Sequence, residues 1–221
     1  MSDSDGIGVK ICGLTEPATL ATAAQAGARY VGFVFYPPSP RYLHLDRAAA
    51  LSAAVPANVS KVALTVDADN AMLDALLEQV SIDMLQLQGA ETPDRIAEVK
   101  RRYGLPVMKA VGVGDPADLA ALDVYEGVAD QVLVDAKPPK VGGVPGGNGV
   151  PFDWSLLQGR RWQTPWLLAG GLTSANVAEA IRLTGTQQVD VSSGVEVAKG
   201  VKDPGMIRAF LKAARAPVLS H

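Results

Sequence analysis

Cys12 is the only cysteine in the chain, and it ends a short apolar run, Val9-Lys10-Ile11-Cys12, just before Gly13 and a helix-start signal, Thr15-Glu16-Pro17. A thiol at a strand end beside a helix N-terminus faces the positive end of the helix dipole. That placement lowers a cysteine pKa and makes the sulfur a base or a nucleophile. Without context the same residue reads as a small buried hydrophobe. Four other polar residues, Arg41, Gln86, Asp135 and Asp190, also fall at or just past the ends of apolar runs. Their types suit complementary tasks. A carboxylic acid kept neutral by burial donates a proton, a thiolate accepts one, and an arginine fork grips a carboxylate through both oxygens. Polar residues also mark the places where strands simply stop, so each alone is a weak signal. Their meaning depends on whether the elements behind them bring them to one place.

Those elements alternate along the chain. Strands are predicted at Val9–Cys12, Tyr30–Phe35, Val62–Val66, Met84–Leu87, Val107–Val111, Gln131–Asp135, Trp166–Ala169 and Val189–Val191. Helical spacing appears between them, with Leu73, Leu76, Leu77 and Val80 after Asp69-Asn70, and Ile207, Phe210, Leu211 and Ala214 after Asp203-Pro204. Thr92-Pro93 and Ser174 read as further N-caps. Eight strand–helix units point to an α/β fold of the (β/α)8 TIM-barrel type, one domain over residues 1–221 with a frayed tail at 216–221. An open doubly wound sheet is the alternative, but no Gly-x-Gly-x-x-Gly turn follows the first strand. In a barrel the loops after the strands build the active site, so the polar residues at strand ends share one mouth.

The last two of those loops carry Gly170-Gly171 and Ser192-Ser193-Gly194. Glycines let backbone N–H groups approach an anion closely and serines add hydroxyl donors, at the position where such barrels commonly hold phosphate. A second glycine-rich tract, residues 141–149, reads either as a lid over the mouth or as a tolerated insertion.

Composition narrows the function classes. The chain has 221 residues and a formal charge of -3, with no basic block, which gives no support to a nucleic-acid partner. The N-terminal residues lack the features of a signal peptide and no apolar run reaches membrane-spanning length, so the expectation is a cytoplasmic protein without a membrane partner. His44 and His221 are the only histidines and neither has a partner at ligand spacing, so no metal is expected.

Three phrases then become recognisable: Val9-Lys10-Ile11-Cys12-Gly13-Leu14-Thr15, residues 31–42 (VGFVFYPPSPRY), and Val189-Asp190-Val191-Ser192-Ser193-Gly194-Val195-Glu196. With Leu133-Val134-Asp135-Ala136-Lys137, Phe152-Asp153-Trp154 and Gly170-Gly171-Leu172, they cover nearly the whole chain in order. The chain resembles the phosphoribosylanthranilate isomerases of tryptophan biosynthesis. The resemblance implies a cofactor-free barrel that rearranges N-(5-phosphoribosyl)anthranilate, a small-molecule substrate, to 1-(2-carboxyphenylamino)-1-deoxyribulose 5-phosphate. It further implies Cys12 as general base, Asp135 as general acid, Arg41 on the anthranilate carboxylate, Asp190 on the sugar hydroxyls and Gln86 beside the substrate. Gly170, Gly171, Ser192, Ser193 and Gly194 would hold the phosphate. A monomer is the expected state.

Two positions depart from the family pattern. Gln88 stands where the family usually has histidine in Gln-Leu-His-Gly, and Thr65 where it usually has phenylalanine. Neither is expected to touch the acid or the base. Lys137 is a further complication, because a cation close to Asp135 would favour its ionised form. Other readings remain. A sugar-phosphate epimerase or thiamin-phosphate synthase would share the phosphate loops without needing Cys12, Asp135 and Arg41 together. A catalytically silent barrel would bind ligand without turnover. Activity on the histidine-pathway aminoaldose also stays open, although that relative uses paired aspartates where this chain has Cys12.

Overall fold

A computed structural model describes residues 6–137 and 152–216. Eight parallel strands close into a barrel in sequence order: β1 (Gly8–Cys12), β2 (Tyr30–Val34), β3 (Ser60–Thr65), β4 (Met84–Leu87), β5 (Val107–Val113), β6 (Gln131–Ala136), β7 (Trp166–Leu168) and β8 (Gln188–Val191). Every predicted strand is present, with boundaries within two residues of those expected. The ring closes where β8 pairs with β1, in a register that opposes Lys10 to Asp190 and Ile11 to Val191.

Helices α1 (Pro17–Gln25), α2 (Leu45–Ala53), α3 (Asn70–Gln79), α4 (Pro93–Tyr103), α5 (Leu119–Glu126), α6 (Val177–Thr184) and α7 (Pro204–Ala214) surround the ring. After β6 the described residues hold a 3-10 turn, Trp154–Leu157, in place of a full helix. The glycine-rich 141–149 tract and most of the 216–221 tail lie outside the described residues. Three of the expected caps form: Asp69, Thr92 and Asp203 accept from the backbone N–H groups of Met72, Arg95 and Met206. Ser174 does not cap. Helix α6 begins three residues later, behind Asn176, whose side chain turns back to the Thr173 N–H and the Gly171 carbonyl.

Strand alternation sorts the side chains into two groups. Val9, Ile11, Leu85, Leu87, Val132, Val134, Val189 and Val191 point outward into the main core beneath the helices. The alternate positions point inward, where Tyr30, Val62, Met84, Met108, Leu133 and Leu167 fill the barrel and Cys12, Val34 and Leu64 form a smaller cluster. Lys10, Gln86, Asp135 and Asp190 share the inward parity. Lys109 has the outward one, and it is buried against Glu91 at 2.8 Å in the loop after β4. Its charge is therefore structural.

Candidate active site

The inward parity carries Lys10 and Cys12 on β1, Gln86 on β4, Asp135 on β6 and Asp190 on β8 into the C-terminal mouth of the barrel. All five are buried. Lys10 Nζ donates to Asp190 Oδ1 at 2.8 Å across the closing strand pair. Cys12 pairs in register with Gly32, and a β-carbon at Gly32 would stand 3.0 Å from Cys12 Sγ and 3.2 Å from Lys10 Nζ. Thiol and ammonium thus lie over the same glycine, and a larger residue there would displace both.

Cys12 is not the acidic thiol expected from its place at the strand end. Burial pushes the Cys12 pKa above its ordinary value, and the charge of Asp190 adds to the rise, while Lys10 and Lys202 oppose it. A strand-terminal sulfur packed among Val34 and Leu64 has lost the water that would solvate its thiolate. Asp135 holds its proton to a higher pH than an ordinary carboxyl. Burial, and secondarily the charge of Asp190, raise its pKa to about 6. Its Oδ1 accepts from the Ala136 N–H at 2.8 Å. Lys137, feared as a neighbouring cation, instead turns outward to Asp118 at 2.6 Å and leaves Asp135 alone.

Gln88 overturns one expectation. Its Nε2 donates to Asp135 Oδ2 at 3.3 Å, and its Oε1 accepts from Gln86 Nε2 at 2.6 Å, so the departure from the family pattern does touch the acid. An amide here offers a donor that does not titrate. Gln86 Oε1 and Thr65 Oγ1 are buried without a hydrogen-bond partner among the described residues.

Arg41 lies on the loop that returns to β2 through the Val34–Tyr42 bridge. Its Nε and Nη2 engage Glu196 in a two-pronged pair at 2.7 and 2.9 Å. Lys202 Nζ meets the same carboxylate at 2.7 Å. Burial opposes the charge of Glu196, but the two cations hold its pKa down to about 2. Both partners sit in a short hairpin after β8, strands β9 (Glu196–Ala198) and β10 (Val201–Lys202). Sequence reasoning gave no role to Lys10, Glu196 or Lys202. Their only early signal was a charged residue inside or beside an apolar phrase.

The two loops expected to hold phosphate are in contact. A β-carbon on Gly194 would overlap the Leu172 carbonyl oxygen, so only glycine lets the loop after β8 seat against the loop after β7. Gly170 and Gly171 both adopt positive φ. Ser192 Oγ donates to the Cys12 carbonyl at 3.2 Å and receives Lys202 Nζ at 3.1 Å, tying the ends of β1, β8 and β10 together. Gly194→Ala is expected to force the loops apart and lower the melting temperature by about 3–10 °C, the range for overpacking a chain of this size. Differential scanning calorimetry reads the shift, and an unchanged transition would show that the loops tolerate separation.

Comparison with known proteins identifies the family. The family profile described as N-(5'phosphoribosyl)anthranilate (PRA) isomerase matches residues 9–213. The N-(5'-phosphoribosyl)anthranilate isomerase of Paracoccus denitrificans is 63% identical over 213 residues, which are 96% of this chain and 99% of that protein. The crystal structure of phosphoribosyl anthranilate isomerase from Thermotoga maritima superposes with a TM-score of 0.84 at 36% identity, covering 94% of this chain and 98% of that one. A phosphoribosyl anthranilate isomerase in complex with reduced 1-(o-carboxyphenylamino)-1-deoxyribulose 5-phosphate superposes with a TM-score of 0.82 at 34% identity, with the same coverage. Both the profile and these relatives span the barrel from β1 into α7, so the chain belongs to the N-(5'-phosphoribosyl)anthranilate isomerase family.

Proposed function

We propose that Cys12 and Asp135 carry the proton transfers of the isomerisation this enzyme catalyses, the Amadori rearrangement of N-(5-phosphoribosyl)anthranilate in tryptophan biosynthesis. Asp135 protonates the furanose ring oxygen as the C1–O bond breaks, leaving a protonated imine at C1. The imine acidifies the C2 hydrogen. Cys12 takes that proton as a thiolate, and the C2–H electron pair becomes the C1=C2 bond of an enolamine. Protonation at C1 and loss of the C2 hydroxyl proton then give the ketose. The observation that supports this reading best is an inward-facing carboxyl with its pKa raised to about 6 in the same barrel mouth as the inward-facing thiol.

Substrate binding follows from the same surroundings. Arg41 meets the anthranilate carboxylate with the guanidinium edge that Glu196 leaves uncovered, while Glu196 fixes the fork in place. Asp190 keeps one oxygen on Lys10 and offers the other to a sugar hydroxyl. Gln86 Oε1, buried without a partner among the described residues, is an acceptor for a substrate donor. Gly170, Gly171, Ser193 and Gly194 present backbone and hydroxyl donors to the phosphate, with Ser192 holding the loop to β1. Phosphate bound there orients the reacting carbon as well as adding affinity.

The test is the fluorescence of phosphoribosylanthranilate generated in situ, followed on adding the purified protein. A rapid decay is expected, and a folded protein that produces none overturns the proposal. The pH dependence provides a second check. Turnover needs Asp135 protonated and Cys12 ionised, yet the acid has the lower pKa, so the productive form is a minor one. Below about pH 6 the thiolate fraction rises with pH while Asp135 stays protonated. Above it the two fractions change in opposite directions and cancel. The profile of kcat/KM is therefore expected to rise to about pH 6, run flat, and fall only where Cys12 itself ionises. A profile that falls above pH 6 would contradict the assignment.

A further inference from the structure

We propose that Lys10 is a positioning residue for this reaction, its ammonium held by Asp190 so that it provides the counter-charge against which Cys12 ionises. The inference rests on Cys12 acting as the base. A base buried among Val34 and Leu64 faces a physical obstacle, since a thiolate without water needs a compensating charge nearby. Lys10 is completely buried, which a lysine accepts only with a partner. Asp190 provides one at 2.8 Å. That single contact leaves the ammonium with further protons to direct, because Nζ carries three.

Their direction follows from the strand. Lys10 and Cys12 are two residues apart on β1 and point into the barrel together. The position a Gly32 β-carbon would occupy is 3.0 Å from the sulfur and 3.2 Å from the ammonium nitrogen, so the two groups share a recess that only glycine leaves free. Asp190 on β8 fixes the ammonium from the other side. The charged groups that influence Cys12 are Lys10 on its own strand, Asp190 on β8 and Lys202 on β10. Gly32, opposite on β2, contributes none. Lys10 retains its protons throughout: the C2 proton passes to Sγ, and the ammonium answers the thiolate before transfer and Asp190 at every stage. Although burial opposes it, the Lys10 charge is held firmly by Asp190 and Cys12, above the ordinary lysine range.

Because Cys12 is the only cysteine, protein labelled with 13Cβ-cysteine gives one thiol resonance, and its titration reads Cys12 alone. Lys10→Met is expected to move that titration upward by about one pH unit and to lower the flat region of kcat/KM about tenfold, with its alkaline limb moving upward in parallel. Lys10→Arg retains the charge and is expected to stay close to the wild-type titration. Removing Lys10 strands a buried carboxylate and can unfold the chain. The double variant Lys10→Met/Asp190→Asn avoids this, and its comparison with Asp190→Asn alone isolates the lysine. An unmoved Cys12 titration in either comparison overturns the role of Lys10. Turnover retained by Cys12→Ala would instead overturn the base on which the role depends, whatever the titration shows.

Discussion

Cys12→Ala is expected to lower kcat by about 10²–10⁴-fold, the usual contribution of one positioned acid–base group and equivalent to roughly 3–5 kcal/mol of barrier. Among the described residues, nothing else on the inward face of the mouth can take over. The neighbouring Lys10 is already protonated and paired with Asp190, and Asp135 must begin the cycle as an acid. Cys12→Ser gives the stricter comparison, because a hydroxyl of similar size occupies the recess over Gly32 yet does not ionise in the working range. Both variants are expected to melt within a few degrees of the wild type, since the sulfur is a small part of a large core. Steady-state fluorescence assays paired with thermal melts check this. Turnover within threefold of wild type in a folded Cys12→Ser protein would remove the thiol from the mechanism.

Asp135→Asn is expected to produce a loss of comparable size in kcat together with a gain in stability. The side chain keeps its shape, and Asn Oδ1 still accepts from the Ala136 N–H. The amide nitrogen that replaces Oδ2 faces Gln88, which accepts from it through Oε1 once its amide turns, and Gln86 turns in step so that its own Oε1 accepts from Gln88 Nε2. Turnover fails because no proton is available for the ring oxygen. The stability change follows from the raised pKa. Below about pH 4 the carboxyl is protonated in folded and unfolded chains alike and costs nothing. Between there and about pH 6 only the unfolded chain releases the proton, so stability falls as pH rises, and above pH 6 the loss is complete. Going from 3.8 to about 6 corresponds to roughly 3 kcal/mol. The asparagine variant escapes this, so at pH 8 it should unfold at higher denaturant than wild type, with the gap closing towards pH 4. Urea titrations at the two pH values measure the difference. A gap of the opposite sign would mean that Asp135 is ionised and paired in the native state, and thus unsuited to the role of acid.

Such a gain on losing a working residue follows from a carboxyl whose ionisation is opposed by burial. The same burial that raises the Asp135 pKa also raises that of Cys12, which is unhelpful for a base. A lysine fixed within the barrel answers the second effect without cancelling the first: its charge also draws the Asp135 pKa down, but by less than burial and the charge of Asp190 push it up, and Lys137 is turned outward.

Much of this was legible along the chain. Strand ends could be read because parallel strands buried on both faces are continuous apolar runs, bounded by residues that cannot stay in them. Helix starts at Asp69, Thr92 and Asp203 were readable because a cap acts within three residues of itself. Ser174 misled because Thr173 and Asn176 compete for the same turn, and Asn176 wins by holding both the Thr173 N–H and the Gly171 carbonyl. The family phrases identified Cys12, Arg41, Asp135 and Asp190 as candidates, and strand alternation then turned Cys12, Asp135 and Asp190 into one mouth.

By itself, then, the sequence determined the order of the barrel elements, the phrases at the strand ends and the types of chemistry available there, since all of these depend on neighbours a few residues away. Tertiary structure alone decided their electrical state. Lys10 finds Asp190 across 180 residues, Arg41 finds Glu196 across 155, and Gln88 reaches Asp135 across 47. Ring closure sets these distances, and burial on closure sets how strongly each charge acts. A pKa depends on lost water and on charges brought near by folding, neither of which is written in the order of residues around Cys12.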